Sequence, residues 1–197
     1  MRIIAGEFRG RRIEAPDTIL TRPMLDRVRE SLFGRLGERV VKATVLDLYA
    51  GSGSLGLEAL SRAASRALFV ERGRDALAAL TANIEALGVG SRARVVRGDA
   101  LSEELWTPRA KREELPWEGG CDIAFMDPPY PLVEDPRTRA EVLEAAQQLI
   151  DRHLKPGGVL VLHVPERGRE WIRIARSERE ERVYGSSALL YFELPQA

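Results

Sequence analysis

The chain predicts an α/β fold with a doubly wound, mostly parallel sheet, and three observations carry that expectation. From residue 45 onward, short apolar runs alternate with stretches of helical period. Such alternation makes each helix a right-handed crossover between parallel strands. The first run leads directly into a glycine-rich segment, Gly51-Ser52-Gly53-Ser54-Leu55-Gly56. Acidic residues, Asp47, Glu71 and Asp99, close successive runs, at the strand ends where open α/β sheets bind ligands.

Taken in order, residues 2–15 read as a short polar strand pair around Gly6 and Gly10. Between residues 26 and 36, Val28, Leu32, Phe33 and Leu36 recur at helical spacing. A strand over 45–49 is followed by the glycine loop and a helix over 55–61, then a strand over 67–70. A helix over 75–87 stops at Gly88, and a third strand covers 93–96. Residues 102–120 are charged, contain Pro108 and Pro116, and read as irregular. A strand over 123–126, a helix over 139–153, a turn at Lys155-Pro156-Gly157-Gly158 and a strand over 159–164 follow. A helix or loop near Glu170 leads to a terminal hairpin with Ser186-Ser187 near its turn and 189–194 as the last strand, adding antiparallel character at one edge. Residues 1–40 then form an N-terminal basic extension, hairpin plus helix, ahead of a sheet domain over 41–197.

The 197 residues suit one compact domain, and 44% hydrophobic content excludes wholesale disorder. No apolar run approaches the roughly 20 residues of a membrane span, and the N-terminus lacks the apolar core of a leader peptide. The single cysteine, Cys121, has no partner for an internal disulfide, so a reducing cytoplasmic setting is expected. Thirty basic residues balance thirty acidic ones, which argues against coating nucleic acid by bulk charge. The first 42 residues nevertheless hold ten basic and six acidic groups. That basic head suits a phosphate-binding surface or, on charge alone, a solvated face.

The glycine segment reads G-x-G-x-x-G between a strand and a helix. Its glycines permit a tight turn and let backbone N–H groups approach a ligand at the helix N-terminus. Glu71, twenty residues after Gly51, is suited to ribose hydroxyls. A nicotinamide dinucleotide and S-adenosylmethionine both fit these features. Asp47 favours the second, because a carboxylate there attracts a methionine amine and repels a pyrophosphate. Asp99 is suited to the adenine amino group. The candidate cofactor residues are therefore Asp47, Ala50, Gly51, Ser52, Gly53, Gly56, Glu71, Asp99 and Ala100.

The sharpest motif is Asp127-Pro128-Pro129-Tyr130 at the end of the fourth strand. Two prolines stop the ladder and stiffen an extended backbone. A carboxylate and the Pro128 carbonyl can then accept both hydrogens of an exocyclic amine while Tyr130 stacks on a base. His153 and His163 lack neighbours at ligand spacing, so no metal is expected, and helix-end and strand-packing roles suit them. Nothing basic stands near Cys121 to make it a nucleophile.

With DLYAGSGSLG followed by DPPY, the chain resembles the class I S-adenosylmethionine-dependent amino methyltransferases. MRIIAGEFRGRRI and RPMLDRVRESLFGRL narrow the resemblance to the bacterial guanine-N2 methyltransferases of small-subunit ribosomal RNA. Departures are Arg22-Pro23-Met24 in place of Arg-Pro-Thr, Tyr130 in place of phenylalanine, and a longer 103–120 segment. The resemblance implies a seven-stranded Rossmann-like sheet, S-adenosylmethionine as methyl donor, and methyl transfer to a guanine N2 at Asp127, Pro128, Pro129 and Tyr130. It further implies ribosomal RNA or the assembled small subunit as partner, no membrane or metal, and a monomer. Arg2, Arg9, Arg11, Arg12, Arg22, Arg27 and Arg29 become the candidate RNA-binding residues. Adenine N6 and a protein glutamine amide stay open as acceptors, although asparagine in place of Asp127 would suit them better. A nicotinamide-dependent oxidoreductase leaves DPPY without a purpose, and a non-catalytic RNA-binding module leaves the acidic strand ends unexplained.

Overall fold

The computed structural model describes residues 1–15, 24–106 and 120–196. Its strands are β1 (Thr44–Leu48), β2 (Arg66–Glu71), β3 (Ala93–Arg97), β4 (Cys121–Met126), β5 (Leu154–Pro165), β6 (Glu178–Tyr184) and β7 (Ser187–Glu193). They form one seven-stranded sheet in the order β3-β2-β1-β4-β5-β7-β6. β1 to β5 pair in parallel, and β7 joins β5 antiparallel with β6 outside it. The order reverses between β1 and β4, which creates the crevice where such sheets hold ligands.

Both faces of the sheet are covered, so its central strands are mainly apolar on both sides, with Asp47 and His163 as buried exceptions. Helices α1 (Asp26–Leu36), α2 (Ser54–Ser61) and α3 (Arg74–Leu87) pack one face, with Leu32, Phe33, Leu57 and Leu80 against Val45, Phe69 and Phe125. Helices α4 (Tyr130–Glu134) and α5 (Pro136–Gln148) pack the other, with Val133, Val142 and Ala146 among Leu46, Met126 and Leu162. Alternation along β4 is the simplest expression of this: Ile123 and Phe125 enter the first core, Ala124 and Met126 the second.

The expected N-terminal strand pair is reduced to a single bridge between Arg2 and Arg12. The reason is that α2 takes the backbone groups a ladder would need. Glu58 of α2 is fully buried and accepts the N–H groups of Ile4 (2.7 Å) and Ala5 (3.0 Å) and Arg62 Nε (2.7 Å). The Ser61 hydroxyl accepts from Phe8 N–H at 3.0 Å and donates to the Ala5 carbonyl at 2.5 Å. Gly6 sits at φ +82°, and a Cβ there would lie 1.9 Å from the Ser61 carbonyl oxygen. Farther along, the buried Asn83 of α3 accepts Glu14 N–H (2.7 Å) and donates to the Glu14 carbonyl (3.0 Å) and to the Ser52 carbonyl in the glycine loop (3.0 Å). Ile3, Phe8 and Ile13 belong to the same core as α1 to α3.

Boundaries also differ from the sequence expectation: the helix expected over 139–153 is an α-helix only over Pro136–Gln148, and the last strand is Ser187–Glu193 instead of 189–194. The turn at Lys155–Gly158 is absorbed into β5, where the register against β4 jumps from Cys121↔Leu154 to Ile123↔Val159, a bulge eased by Gly157 at φ +76°. A short helix, α4, starts at Tyr130 immediately after the two prolines, with Pro131 in its first turn.

Candidate active site

A cavity of about 570 Å³ opens at the C-terminal ends of β1, β2 and β4, within the range of about 300–1,000 Å³ usual for small-molecule sites. The loop after β1 forms its floor. Tyr49 at φ 61°, Gly51 at φ 56° and Gly53 at φ 81° turn the chain sharply before α2. Ala50, Gly51, Ser52 and Ser54 line the space. Gly53 and Gly56 sit beneath it: a Cβ on Gly53 would meet Leu80 Cδ1 at 2.5 Å, and one on Gly56 would meet Phe69 Cε1 at 2.3 Å.

Glu71 lines the cavity and closes two turns at once. One carboxylate oxygen accepts Gly51 N–H at 2.8 Å; the other accepts Arg72 N–H at 2.8 Å and Gly73 N–H at 2.7 Å. Asp47 lies below the loop, fully buried, its Oδ2 accepting Gly56 N–H at 2.8 Å. Burial drives its pKa well above the usual carboxylate value, the Gly56 N–H opposes that, and the nearby charges of Asp127 and Glu71 add to the rise. Asp99 is drawn to one side: it pairs with Arg72 Nη1 at 3.0 Å and accepts Leu101 N–H at 3.1 Å, while its neighbours Gly98 and Ala100 line the cavity. Of the nine cofactor candidates, Glu71, Ala50, Gly51, Ser52 and Ala100 therefore face the cavity directly, and Asp47, Gly53, Gly56 and Asp99 shape its walls.

Asp127, Pro128, Pro129 and Tyr130 form the opposite wall. Asp127 N–H still reaches the Leu48 carbonyl at 3.4 Å, which ties the motif to the end of β1. The Pro129 carbonyl accepts Leu132 N–H at 2.9 Å in the first turn of α4, whereas the Pro128 carbonyl has no backbone partner among the described residues. Asp127 Oδ1 lies 2.8 Å from His163 Nδ1, and the Tyr130 and His163 rings meet edge to face with centroids 5.8 Å apart.

His163, Tyr49 and Arg72 also line the cavity, and the sequence did not single them out as site residues. For His163 a signal existed: it is the one polar residue within 159–165, near the ligand-binding end of its strand. Tyr49 follows β1 with its hydroxyl buried and unpartnered among the described residues, and burial raises its pKa. Met1 and Met24 also line it, so the N-terminal region forms part of the wall.

The basic candidates divide. Arg2, Arg9, Arg11, Arg12 and Arg27 are exposed. Arg2 pairs with Asp26 at 3.2 Å, and Arg11 caps the Ala86 carbonyl near the end of α3. Arg29 corrects the sequence expectation. It is fully buried, its Nη2 donating to the Arg2 carbonyl at 2.6 Å and to Asp26 at 3.1 Å, and burial lowers its pKa. It therefore presents nothing to RNA and instead props the N-terminal segment from inside. Arg22 lies outside the described residues. Among the described residues, no group of three or more metal-binding side chains occurs and no helix is long and apolar enough to cross a membrane.

Comparison with known proteins agrees with this geometry. The family model described as "Conserved hypothetical protein 95" matches residues 1–193. "Ribosomal RNA small subunit methyltransferase D" of Escherichia coli is 42% identical over 132 residues, which cover 66% of this chain and 60% of that protein; the match thus spans less than two thirds of that relative. "Putative rRNA methyltransferase YlbH" of Bacillus subtilis is 37% identical over 163 residues, covering 82% and 80% of the two chains. The solved structure of "Putative methyltransferase yhhF from Escherichia coli" superposes with a TM-score of 0.79 at 32% identity, covering 100% of this chain and 99% of that one. With a class I methyltransferase sheet and a match to that model over residues 1–193, the chain belongs to the family described as "Conserved hypothetical protein 95".

Proposed function

We propose that the chain transfers a methyl group from S-adenosylmethionine to the exocyclic N2 amine of a guanine in small-subunit ribosomal RNA. One observation carries the reading: Asp127-Pro128-Pro129-Tyr130 faces, across a single cavity, a glycine loop tied to Glu71. The donor fits the residues present. Beyond its three backbone bonds Glu71 keeps one lone pair, on Oε2, for a ribose hydroxyl, and the glycine loop leaves room for a ligand against the backbone. Asp47 acts from beneath by fixing the start of α2 through Gly56. Asp99 keeps a lone pair on each oxygen, beyond its bonds to Arg72 and Leu101, for an adenine amine.

When bound, the donor supplies a methyl group already activated on a sulfonium sulfur, so the chain needs no strong nucleophile of its own. Its task is alignment and exclusion of water. A guanine amine is a poor nucleophile because its lone pair is delocalised into the ring. Hydrogen bonds from that amine to Asp127 and to the Pro128 carbonyl favour a tetrahedral nitrogen and stabilise the positive charge developing on it. Asp127 Oδ2 would accept the proton that the amine gives up on methylation. Tyr130 offers a stacking face for a base turned out of a helix, worth about 1–3 kcal/mol. The exposed Arg2, Arg9, Arg11, Arg12 and Arg27 meet RNA phosphates on the adjoining surface. A nicotinamide cofactor would leave the Asp127 wall without a role.

The test is transfer of labelled methyl to unmethylated small subunits, naked ribosomal RNA, DNA and total protein, with nucleoside analysis of the product. N2-methylguanosine at one position supports the reading, and a preference for subunits over naked RNA shows that ribosomal proteins shape the target. Label in N6-methyladenosine or in protein overturns the acceptor. Absence of transfer to any of them overturns the reaction.

A further inference from the structure

His163 is the candidate that the observations carry furthest. It lies near the end of β5, paired with Leu189 of β7, and its side chain is 8% exposed. Its ring touches both ends of the Asp-Pro-Pro-Tyr wall: Nδ1 is 2.8 Å from Asp127 Oδ1, and the ring meets Tyr130 edge to face. Nε2 is buried and has no hydrogen-bond partner among the described residues. That asymmetry selects a tautomer. With the proton on Nδ1 the ring donates to the carboxylate. With the proton on Nε2, a nitrogen lone pair would face Asp127 Oδ1 and a buried donor would lack an acceptor, a cost of about 1–3 kcal/mol.

We infer that His163 is a positioning residue for methyl transfer: its Nδ1–H holds Asp127 by Oδ1 and so turns Oδ2 toward the target amine, while its ring braces that of Tyr130. The inference rests on the proposed function. In that reading Asp127 and Tyr130 grip different parts of one base, the amine and the ring face. A single side chain that fixes both sets the angle between them. A carboxylate free to rotate would still attract the amine but would not hold it in line with the methyl group. Misplacement of about 1 Å at a reacting centre costs about 100-fold in rate.

The experiment compares the wild type with His163→Leu and His163→Asn. Leucine keeps bulk without a donor, and the asparagine amide keeps a donor at the δ position. His163→Leu is expected to lower kcat by about 10- to 100-fold with the Kd for S-adenosylmethionine, read by calorimetry, within about twofold. His163→Asn is expected to recover kcat to within a few-fold of wild type. A folded His163→Leu variant with wild-type kcat overturns the inference, and so does an asparagine variant as slow as the leucine one. A readout independent of activity separates this from failure of the proposed function. The chain has only two histidines, so long-range proton–nitrogen NMR spectra resolve the His163 tautomer directly. Protonation at Nδ1 in the wild type, shifting toward Nε2 in Asp127→Ala, supports the inference even if no RNA is methylated. Protonation at Nε2 in the wild type overturns it.

Discussion

Asp127 is the residue on which the proposed chemistry turns, and its surroundings separate its role from cofactor binding. It shares the cavity with Glu71 but bonds to His163 and Leu48, not to the glycine loop. Asp127→Ala is therefore expected to lower methyl transfer by about 100- to 1,000-fold while calorimetry finds S-adenosylmethionine affinity within a few-fold of wild type. Loss of cofactor affinity in a folded variant would move Asp127 into the donor pocket. Placement at the cavity was legible in the sequence where it follows from a residue's position at a strand end, as with Glu71 and Asp127. Single residues were illegible where the deciding partner is remote. Asp99 is engaged by Arg72, 27 residues away in sequence. Arg29 looks like any arginine in a basic run, although its spacing to Phe33 and Leu36 puts it on the apolar face of α1.

At the scale of elements, close packing beneath the glycine loop makes α2 intolerant of added atoms. Gly56→Ala would press a Cβ to 2.3 Å from Phe69 Cε1 and 2.7 Å from Cζ, inside a core with no slack. The expected cost is about 1–3 kcal/mol, read from the denaturation midpoint, with weakened cofactor binding because α2 carries the loop. α1 is held differently, at the far edge of the sheet. Arg35 bonds Glu180 at 2.8 Å and Glu193 at 2.6 Å, and Arg39 bonds Glu193 at 2.8 Å. Arg35 is the main cause of the lowered Glu180 pKa, and Arg39, followed by Arg35, lowers that of Glu193. A carboxylate with a depressed folded-state pKa stabilises the fold above its unfolded value, 4.5 here, and that contribution disappears as pH falls through the folded value. Arg35→Met should thus lower Tm at neutral pH, and the gap from wild type should close as pH drops below 4.5. A gap constant with pH would mean that Arg35 acts through packing alone. Strands and helices with a clear period of two or 3.6 were legible in the sequence. The bulge in β5 and the five-residue α4 were not, because neighbouring chain segments create them.

Across the whole molecule, the N-terminal region shares a core with α1 to α3 and also offers arginines to solvent. Replacing Arg9, Arg11 and Arg12 together with alanine should weaken RNA binding and reduce the slope of log K against log salt, by about 0.7–0.9 for each phosphate no longer neutralised. An unchanged slope, measured by filter binding or anisotropy across salt concentrations, would remove this face from the RNA. Asn83 gives the arrangement a thermodynamic consequence. The same amide nitrogen that holds Glu14 also holds Ser52 in the glycine loop, so the arm proposed to meet RNA and the loop proposed to hold the methyl donor share one joint. Any free energy by which a ligand in the loop tightens the arm must return, equal in size, as tighter ligand binding once RNA has gripped the arm. Donor and acceptor would then assemble on the protein as a cooperative pair, each raising the occupancy of the other before any bond is made.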